Sequence, residues 1–141
     1  MSTIAEKEEE IIEAFSMYED WNDKYEYLID LAKTLPPFDP RYKTEAHLIH
    51  GCQSRVWLHA DFDGERVHYF ADSEAMIPKG IVGMLVKVLS NERPEDIAKA
   101  ELDFIKEIGL KEHLSPNRSN GLVAMIRQMK NFAIDQLKEL K

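Results

Sequence analysis

The spacing of hydrophobic and polar positions divides the chain into helical segments at both ends and a β segment in the middle. Near the start, apolar residues recur every three or four positions, as they do on one face of an α-helix. Thr3 and Glu6 have the spacing of a capping box, and Asp20 has the position of an N-cap for a second helix. Pro36-Pro37 should end that helix, because proline lacks an amide hydrogen and clashes with the preceding turn.

In the middle of the chain the hydrophobic period changes to two. Alternation over residues 56–62, followed by Asp63-Gly64, predicts a strand and a tight hairpin turn. A second strand is expected over 66–70, and residues 47–50 are expected to add a third, short one. The predicted fold is therefore α+β, with a small three-stranded antiparallel sheet and helices packed on one of its faces.

Helical periodicity returns after Asp72-Ser73 and continues to the end of the chain. Pro78 fits only the first turn of the helix that follows. Gly80 and Gly83 weaken this helix, so we expect them to permit close packing. The last helix is predicted to begin near Ser119, and no linker or repeat divides residues 1–141, which we interpret as a single domain.

Composition and charge narrow the function. The 141 residues are 44% hydrophobic and 31% charged, as in an ordinary globular protein. A net charge of −8 repels phosphate backbones, so no nucleic-acid partner is expected. No apolar run is long enough for a membrane span, and the N-terminal residues resemble neither a signal nor a transit peptide, so the expected location is the cytoplasm.

The chain contains one cysteine, Cys52, so any thiol chemistry must be that of a single thiol. A lone cysteine is more often a small buried apolar residue than a nucleophile. However, Cys52 lies outside any apolar face, and Gly51 before it permits an unusual backbone conformation. Gln53, Ser54 and Arg55 after it could stabilise a thiolate, the reactive form. On the residues alone, the buried and the reactive interpretations are about equally favoured.

Three stretches resemble the SufE family. The run HGCQSRVWL at 50–58 is similar to the family's G-C-Q-S-x-V-W segment, which carries its sulfur-accepting cysteine. Asp72–Ala75 with Lys79-Gly80 resembles the element D-S-[DE]-A…K-G, and Leu114–Leu122 resembles L-[ST]-P-x-R-x-x-G-L. Trp21, Lys24-Tyr25 and Leu35-Pro36 also resemble the family's second helix. The resemblance therefore covers nearly the whole chain, with the elements in the same order and spacing.

The resemblance implies a function for the thiol. Cys52 would take persulfide sulfur from a SufS-type, pyridoxal-phosphate cysteine desulfurase and stimulate that enzyme. It would then pass the sulfur to a SufB-containing scaffold for iron–sulfur cluster assembly. The resemblance also implies an IscU-like fold, no cofactor or metal of its own and no independent enzymatic turnover. The alternative is a regulator that docks on the desulfurase without carrying sulfur. The sequence leaves open a monomer or a homodimer, and a SufE or a CsdE-type role.

Other residues are assigned to the site by the same resemblance. Arg118 matches a family arginine. Its expected role is to dock a partner or to polarise the sulfur site, and the alternative is that it only holds the loop before the last helix by a hydrogen bond. Asp72 and Glu74 are candidates for partner docking, although we expect them to cap the helix that follows.

A bound persulfide would be lost to solvent reductants and oxidants, so a partly sheltered resting thiol that swings out on docking would be advantageous. The apolar neighbours of Cys52 predict such a shelter. They are Leu48, Ile49, Val56 and Trp57.

Overall fold

The computed structural model describes residues 3–139. Its helices are α1 (Ile4–Ser16), α2 (Trp21–Ala32), α3 (Met76–Leu89), α4 (Pro94–Lys99), α5 (Phe104–Glu107), α6 (Leu110–His113) and α7 (Pro116–Glu139). Its strands are β1 (Val56–Phe62) and β2 (Val67–Ser73), and short 3-10 helices cover Pro40–Tyr42 and Glu45–His47. The predicted α+β class is therefore confirmed. No helix among residues 3–139 has both the length and the apolar character that a bilayer span requires.

The first two helices begin where the sequence predicts. The Thr3 hydroxyl accepts a hydrogen bond from the Glu6 amide at 3.2 Å, and the Asp20 carboxylate accepts one from the Asn22 amide at 3.0 Å. Each bond satisfies one of the amides that the start of a helix leaves without an intrahelical partner. Both predicted N-caps are confirmed.

The sheet is an antiparallel hairpin in which Val56 lies opposite Ser73 and Phe62 lies opposite Val67. Strand β2 extends three residues beyond the predicted end at position 70, which brings Asp72 and Ser73 into the sheet. The extension matters for the site because it fixes the chain that leads into α3.

The predicted third strand at 47–50 is wrong. Glu45–His47 forms a 3-10 helix, and Leu48 makes only an isolated bridge to Trp57. One further bond joins the Ile49 amide to the Val56 carbonyl at 2.9 Å. The chain then turns away at Gly51, so the pairing is too short to form a strand.

Helix α3 lies at the centre of the helical layer and contacts α1, α2, α7 and β2. A Cβ atom on Gly80 would lie 2.5 Å from the Leu28 carbonyl oxygen, and one on Gly83 would lie 2.9 Å from that of Leu31. Both distances are shorter than any normal contact. The backbones of α2 and α3 can therefore lie this close together only because both positions are glycine. The predicted close packing is confirmed.

Helix α7 begins at Pro116, three residues before the predicted start at Ser119. The Ser115 hydroxyl accepts from the Arg118 amide at 3.3 Å, and the Ser115 carbonyl accepts from the Ser119 amide at 2.9 Å. Ser115 therefore acts as the N-cap, and proline occupies the first position, where no amide hydrogen is needed. As a result Arg118 lies in the first turn of α7 and not in a loop.

Candidate functional site

Cys52 follows a glycine with a left-handed backbone. Gly51 has φ +99°, and a Cβ atom there would lie 3.2 Å from the Cβ of Ala124 in α7. Glycine is favoured at this position because other residues rarely adopt this φ and because the space is tight. The unusual conformation predicted at Gly51 is confirmed, and it places Cys52 against α7.

The thiol lies directly on the backbone of α7. Cys52 Sγ is 3.7 Å from the carbonyl oxygen of Gly121, to which it donates a hydrogen bond. A Cβ atom on Gly121 would lie only 3.3 Å from Sγ. The missing side chain of Gly121 therefore makes the space in which the sulfur rests.

A cavity of about 250 Å³ opens beside the sulfur. Part of its wall is apolar and comes from α3 and α7, through Pro78, Ile81 and Met125. The remaining part is polar and consists of Gln53, Ser54, Ser115, Asn117 and Arg118. The pocket is large enough to hold more than one additional atom on the sulfur.

The shelter has a different origin from the one predicted. Ile49, Val56 and Trp57 are buried at 3%, 0% and 7% exposure, and with Leu48 they belong to the region around β1 and not to the wall of the pocket. The wall comes from residues distant in sequence, because α3 and α7 converge beside the Cys52 loop. Cys52 itself remains half-buried.

The predicted stabilisation of a thiolate is not present in this structure. Burial raises the pKa of the Cys52 thiol, because the thiolate would lose hydration. The Arg55 guanidinium lies 3.7 Å from the Glu74 carboxylate, and both side chains are mostly exposed. Gln53 and Ser54 line the pocket, and their supporting role stays a prediction. The resting site therefore favours a neutral thiol.

Asp72 does not cap α3, so the capping interpretation is wrong for this residue. Its carboxylate lies 2.8 Å from Lys43 Nζ and 3.1 Å from Lys79 Nζ. Partial burial raises the pKa of Asp72, but the hydrogen bonds from the two lysines outweigh it and leave the pKa below its usual value. The Ser73 hydroxyl accepts from the amide of Ala75, the residue directly before α3.

Glu74 also makes no cap. The residue at the N-cap position of α3 is Ala75, whose side chain has no group to bond an amide, while Glu74 extends to Arg55. Capping fails as a prediction here because α3 begins at Met76, so its N-cap position belongs to Ala75 and not to Asp72 or Glu74. The docking role of Asp72 and Glu74 stays a prediction.

Sequence reasoning did not single out Gly121 as part of the site, although it lies in the third stretch that resembles the family. A glycine inside a predicted helix is a signal of close backbone approach. No comparable local signal marked Ile81 or Met125, which resemble ordinary core residues. Within residues 3–139, no three His, Cys, Asp or Glu side chains are grouped to hold a metal ion.

The fold and site together define an α+β protein with a single, half-sheltered thiol beside a pocket that is part polar. The sequence model of SufE, described as an Fe-S metabolism associated domain, matches residues 9–133. The chain belongs to the SufE family, and is thereby tied to iron–sulfur cluster assembly.

Two relatives agree with this assignment, and one solved structure has a similar fold. The chain is 40% identical over 129 residues to SufE-like protein 1, chloroplastic/mitochondrial, of Arabidopsis thaliana, covering 91% of this chain but only 35% of that protein. It is 37% identical over 134 residues to an uncharacterized SufE-like protein of Rhizobium meliloti (strain 1021), covering 92% and 96% of the two chains. The solution structure of a hypothetical protein from Thermus thermophilus is similar, with a TM-score of 0.78, 26% identity and coverage of 94% and 96%.

Proposed function

We propose that this protein is a sulfur carrier, in which Cys52 accepts a sulfur atom from a SufS-type cysteine desulfurase and delivers it to a SufB-containing scaffold. The observation that carries the proposal is the position of Cys52, the one thiol of the chain, at the wall of a pocket with room for an added sulfur. Family membership supplies the link to iron–sulfur cluster assembly.

The transfer step needs only the two sulfur centres. The Cys52 thiolate attacks the terminal sulfur of the donor persulfide, and a new S–S bond forms at Cys52 Sγ. The S–S bond of the donor breaks, and the donor cysteine leaves as a thiolate that takes the proton released by Cys52. No external oxidant or reductant enters the balance. This chemistry requires neither a cofactor nor a metal on the carrier, and gives it no independent enzymatic turnover.

The resting structure implies that docking activates the thiol. Because burial raises the pKa of Cys52, little thiolate is present at neutral pH, and the sulfur must become hydrated or meet a cation before it attacks. The short loop that follows Gly51 would supply this motion by swinging the thiol out of the pocket. Arg118, Gln53 and Ser54 at the polar wall would then hold the anionic persulfide when it returns.

The alternative is a regulator that docks on the desulfurase without carrying sulfur. The raised pKa of the resting thiol favours this alternative, because the site shows no built-in activation. On this reading Cys52 is a small packing residue against Gly121. The cytoplasm remains the expected compartment on both readings, although the Arabidopsis relative is named for plastids and mitochondria.

The decisive experiment combines mass spectrometry with desulfurase kinetics. After incubation with a SufS-type desulfurase and cysteine, the protein should gain the mass of one sulfur atom on Cys52. Cys52→Ser should gain no sulfur and should fail to stimulate the desulfurase. An unchanged mass of the unmodified protein, or full stimulation by Cys52→Ser, would favour the regulator.

Competition provides the control for this experiment. A Cys52→Ser protein that still docks should inhibit stimulation by the unmodified protein, with an inhibition constant close to the affinity of the latter. Such inhibition shows that the variant is folded and bound, so its failure to stimulate reports the lost thiol. Ser16→Ala, a change at an exposed hydroxyl at the end of α1, should behave as the unmodified protein in both assays.

A further inference from the structure

The turn between α6 and α7 leads the chain into the polar wall of the thiol pocket. Ser115, Asn117 and Arg118 line the cavity beside Cys52, and all three follow shortly after His113, the last residue of α6. Helix α6 is only four residues long, so it gives this turn little rigidity of its own. Contacts from another part of the fold must therefore help to fix the first turn of α7.

Helix α2 supplies such contacts through two aromatic residues that are one helical turn apart. The Tyr25 hydroxyl donates a hydrogen bond to the His113 carbonyl at 2.6 Å. The Trp21 ring stacks on the His113 imidazole, with the ring centroids 3.8 Å apart and the planes 16° from parallel. Residues four apart lie on the same face of a helix, so both contacts come from one side of α2. Trp21, Tyr25 and His113 together form an aromatic brace between α2 and the end of α6.

The brace is joined to the start of α6 and to the start of α7. The His113 Nδ1 atom lies 3.0 Å from the carbonyl oxygen of Gly109, where α6 begins. After His113, the buried residue Leu114 leads to Ser115, whose hydroxyl accepts from the Arg118 amide. A continuous series of contacts therefore joins α2 to the residue that brings positive charge to the pocket.

We infer that the aromatic brace positions Arg118 beside the sulfur of Cys52. Trp21 and Tyr25 are then positioning residues, because neither of them lines the cavity. The inference rests on the proposed function, in which Arg118 holds the anionic persulfide. Hydrogen bonds to a charged group depend on distance and angle, so a small displacement of the first turn of α7 weakens them.

The test compares two alkylating reagents, anionic iodoacetate and neutral iodoacetamide, on the isolated protein. Both react with the Cys52 thiolate, so the ratio of their rates cancels the fraction of thiolate and reports the positive charge near the sulfur. Arg118→Gln should lower the iodoacetate-to-iodoacetamide ratio about three- to fivefold, as expected when a cation near the reagent's carboxylate is lost. Tyr25→Phe removes only a hydroxyl and should lower the ratio about twofold, because the cation is displaced and not lost.

A double variant shows whether Tyr25 acts through Arg118. Adding Tyr25→Phe to Arg118→Gln should lower the ratio no further, because the cation is already absent. Tyr27→Phe is the matched control, since Tyr27 lies on the same helix but packs edge-on against Phe15 in α1. It should leave the ratio unchanged. An unchanged ratio in Tyr25→Phe, or an equal fall with and without Arg118, would overturn the inference.

Substitution of His113 tests the stacked part of the brace. His113→Phe keeps a flat ring for Trp21 to stack on, so its reagent ratio should stay close to that of the unmodified protein. His113→Ala removes the ring and should lower the ratio about twofold, as Tyr25→Phe does. Equal ratios in the two His113 variants would overturn the role of Trp21.

Kinetics with a pyridoxal-phosphate cysteine desulfurase and cysteine distinguish positioning from docking. Tyr25→Phe should lower the maximal rate of sulfur transfer and leave the concentration for half-maximal stimulation unchanged. A rise in that concentration with an unchanged maximal rate would show a docking contact and overturn the inference. If the unmodified protein gained no sulfur while Tyr25→Phe still lowered the reagent ratio, the carrier function would fail and the positioning of Arg118 would stand.

Discussion

Substitution of Gly121 by alanine tests the contact between the thiol and α7. The added methyl group would lie 3.3 Å from Cys52 Sγ, 3.9 Å from its Cβ and 4.0 Å from its Cα. Ordinary nonbonded contacts between heavy atoms are about 3.5–4.0 Å, and sulfur needs the upper part of that range. The sulfur must therefore move by a few tenths of an ångström, and it can do so because it lies on a loop and not on a helix.

Two opposing contributions set the effect on stability. Alanine in place of glycine inside a helix stabilises by about 1 kcal/mol. Overpacking costs about 1–3 kcal/mol, and the lower end applies where a loop can yield. We expect the free energy of unfolding to change by less than about 1 kcal/mol. The displaced sulfur should be better hydrated, which lowers its pKa toward the ordinary value and speeds alkylation at neutral pH several-fold.

The assay pairs urea unfolding with alkylation kinetics, using a small and a bulky thiol reagent. In a Cys52→Ala background the new methyl meets no sulfur, so Gly121→Ala should then stabilise by the full ~1 kcal/mol. Gly64→Ala provides the control, because Gly64 has φ +97° and no atom within 4 Å of an added Cβ. It should lose stability through backbone strain while Cys52 reacts at the unmodified rate. Unchanged alkylation together with equal stabilisation by Gly121→Ala in both backgrounds would refute the contact.

Three further predictions address charge and packing. Because burial raises the pKa of Cys52 in the fold, the thiol of the unfolded chain loses its proton first as the pH rises, and the free energy of unfolding should fall above about pH 8.5. Cys52→Ala should flatten that part of the pH profile of the urea midpoint. An identical slope in the variant and the unmodified protein would contradict this prediction. Lys7 Nζ lies 2.6 Å from the carboxylate of Glu92, which is only 4% exposed. Lys7→Met should therefore cost about 3–5 kcal/mol in urea unfolding, because it leaves a buried charge without its partner. Adding Glu92→Gln should recover most of that loss, and a double variant as unstable as Lys7→Met would contradict this explanation. Gly80→Ala would place a methyl group 2.5 Å from the Leu28 carbonyl oxygen. It should lower the free energy of unfolding by about 1–3 kcal/mol or more, and with it the thermal midpoint. An unchanged midpoint would show that α2 and α3 can separate freely.

The predictions that succeeded rest on short-range physical chemistry. The Thr3 and Asp20 caps and the positive φ of Gly51 each depend on a few neighbouring residues, and the structure confirms them. The close approach at Gly80 follows from the cost of glycine in a helix, which is tolerated only where packing needs the space. Such features are local, so a pattern of residues is enough to predict them.

The predictions that failed needed information about competing partners. The sequence offers Asp72 as a cap for the helix that follows, but α3 begins only at Met76, and Lys43 and Lys79 bind the Asp72 carboxylate instead. Arg55 could stabilise a thiolate, but it extends to Glu74. In each case the sequence shows a group able to make a bond, and the fold decides which partner it meets.

The sequence by itself determined the α+β class, the family and the identity of the one thiol on which the proposed function depends, because these follow from periodicity, from motif order and from there being one cysteine. Only the tertiary structure decided the state of that residue. The resting thiol is half-sheltered, and its pKa is raised, because α7 presents the bare backbone of Gly121 to it while α3 and α7 form the apolar wall with Ile81 and Met125. Desolvation depends on atoms that are near in space and far apart along the chain, so no local pattern could show it.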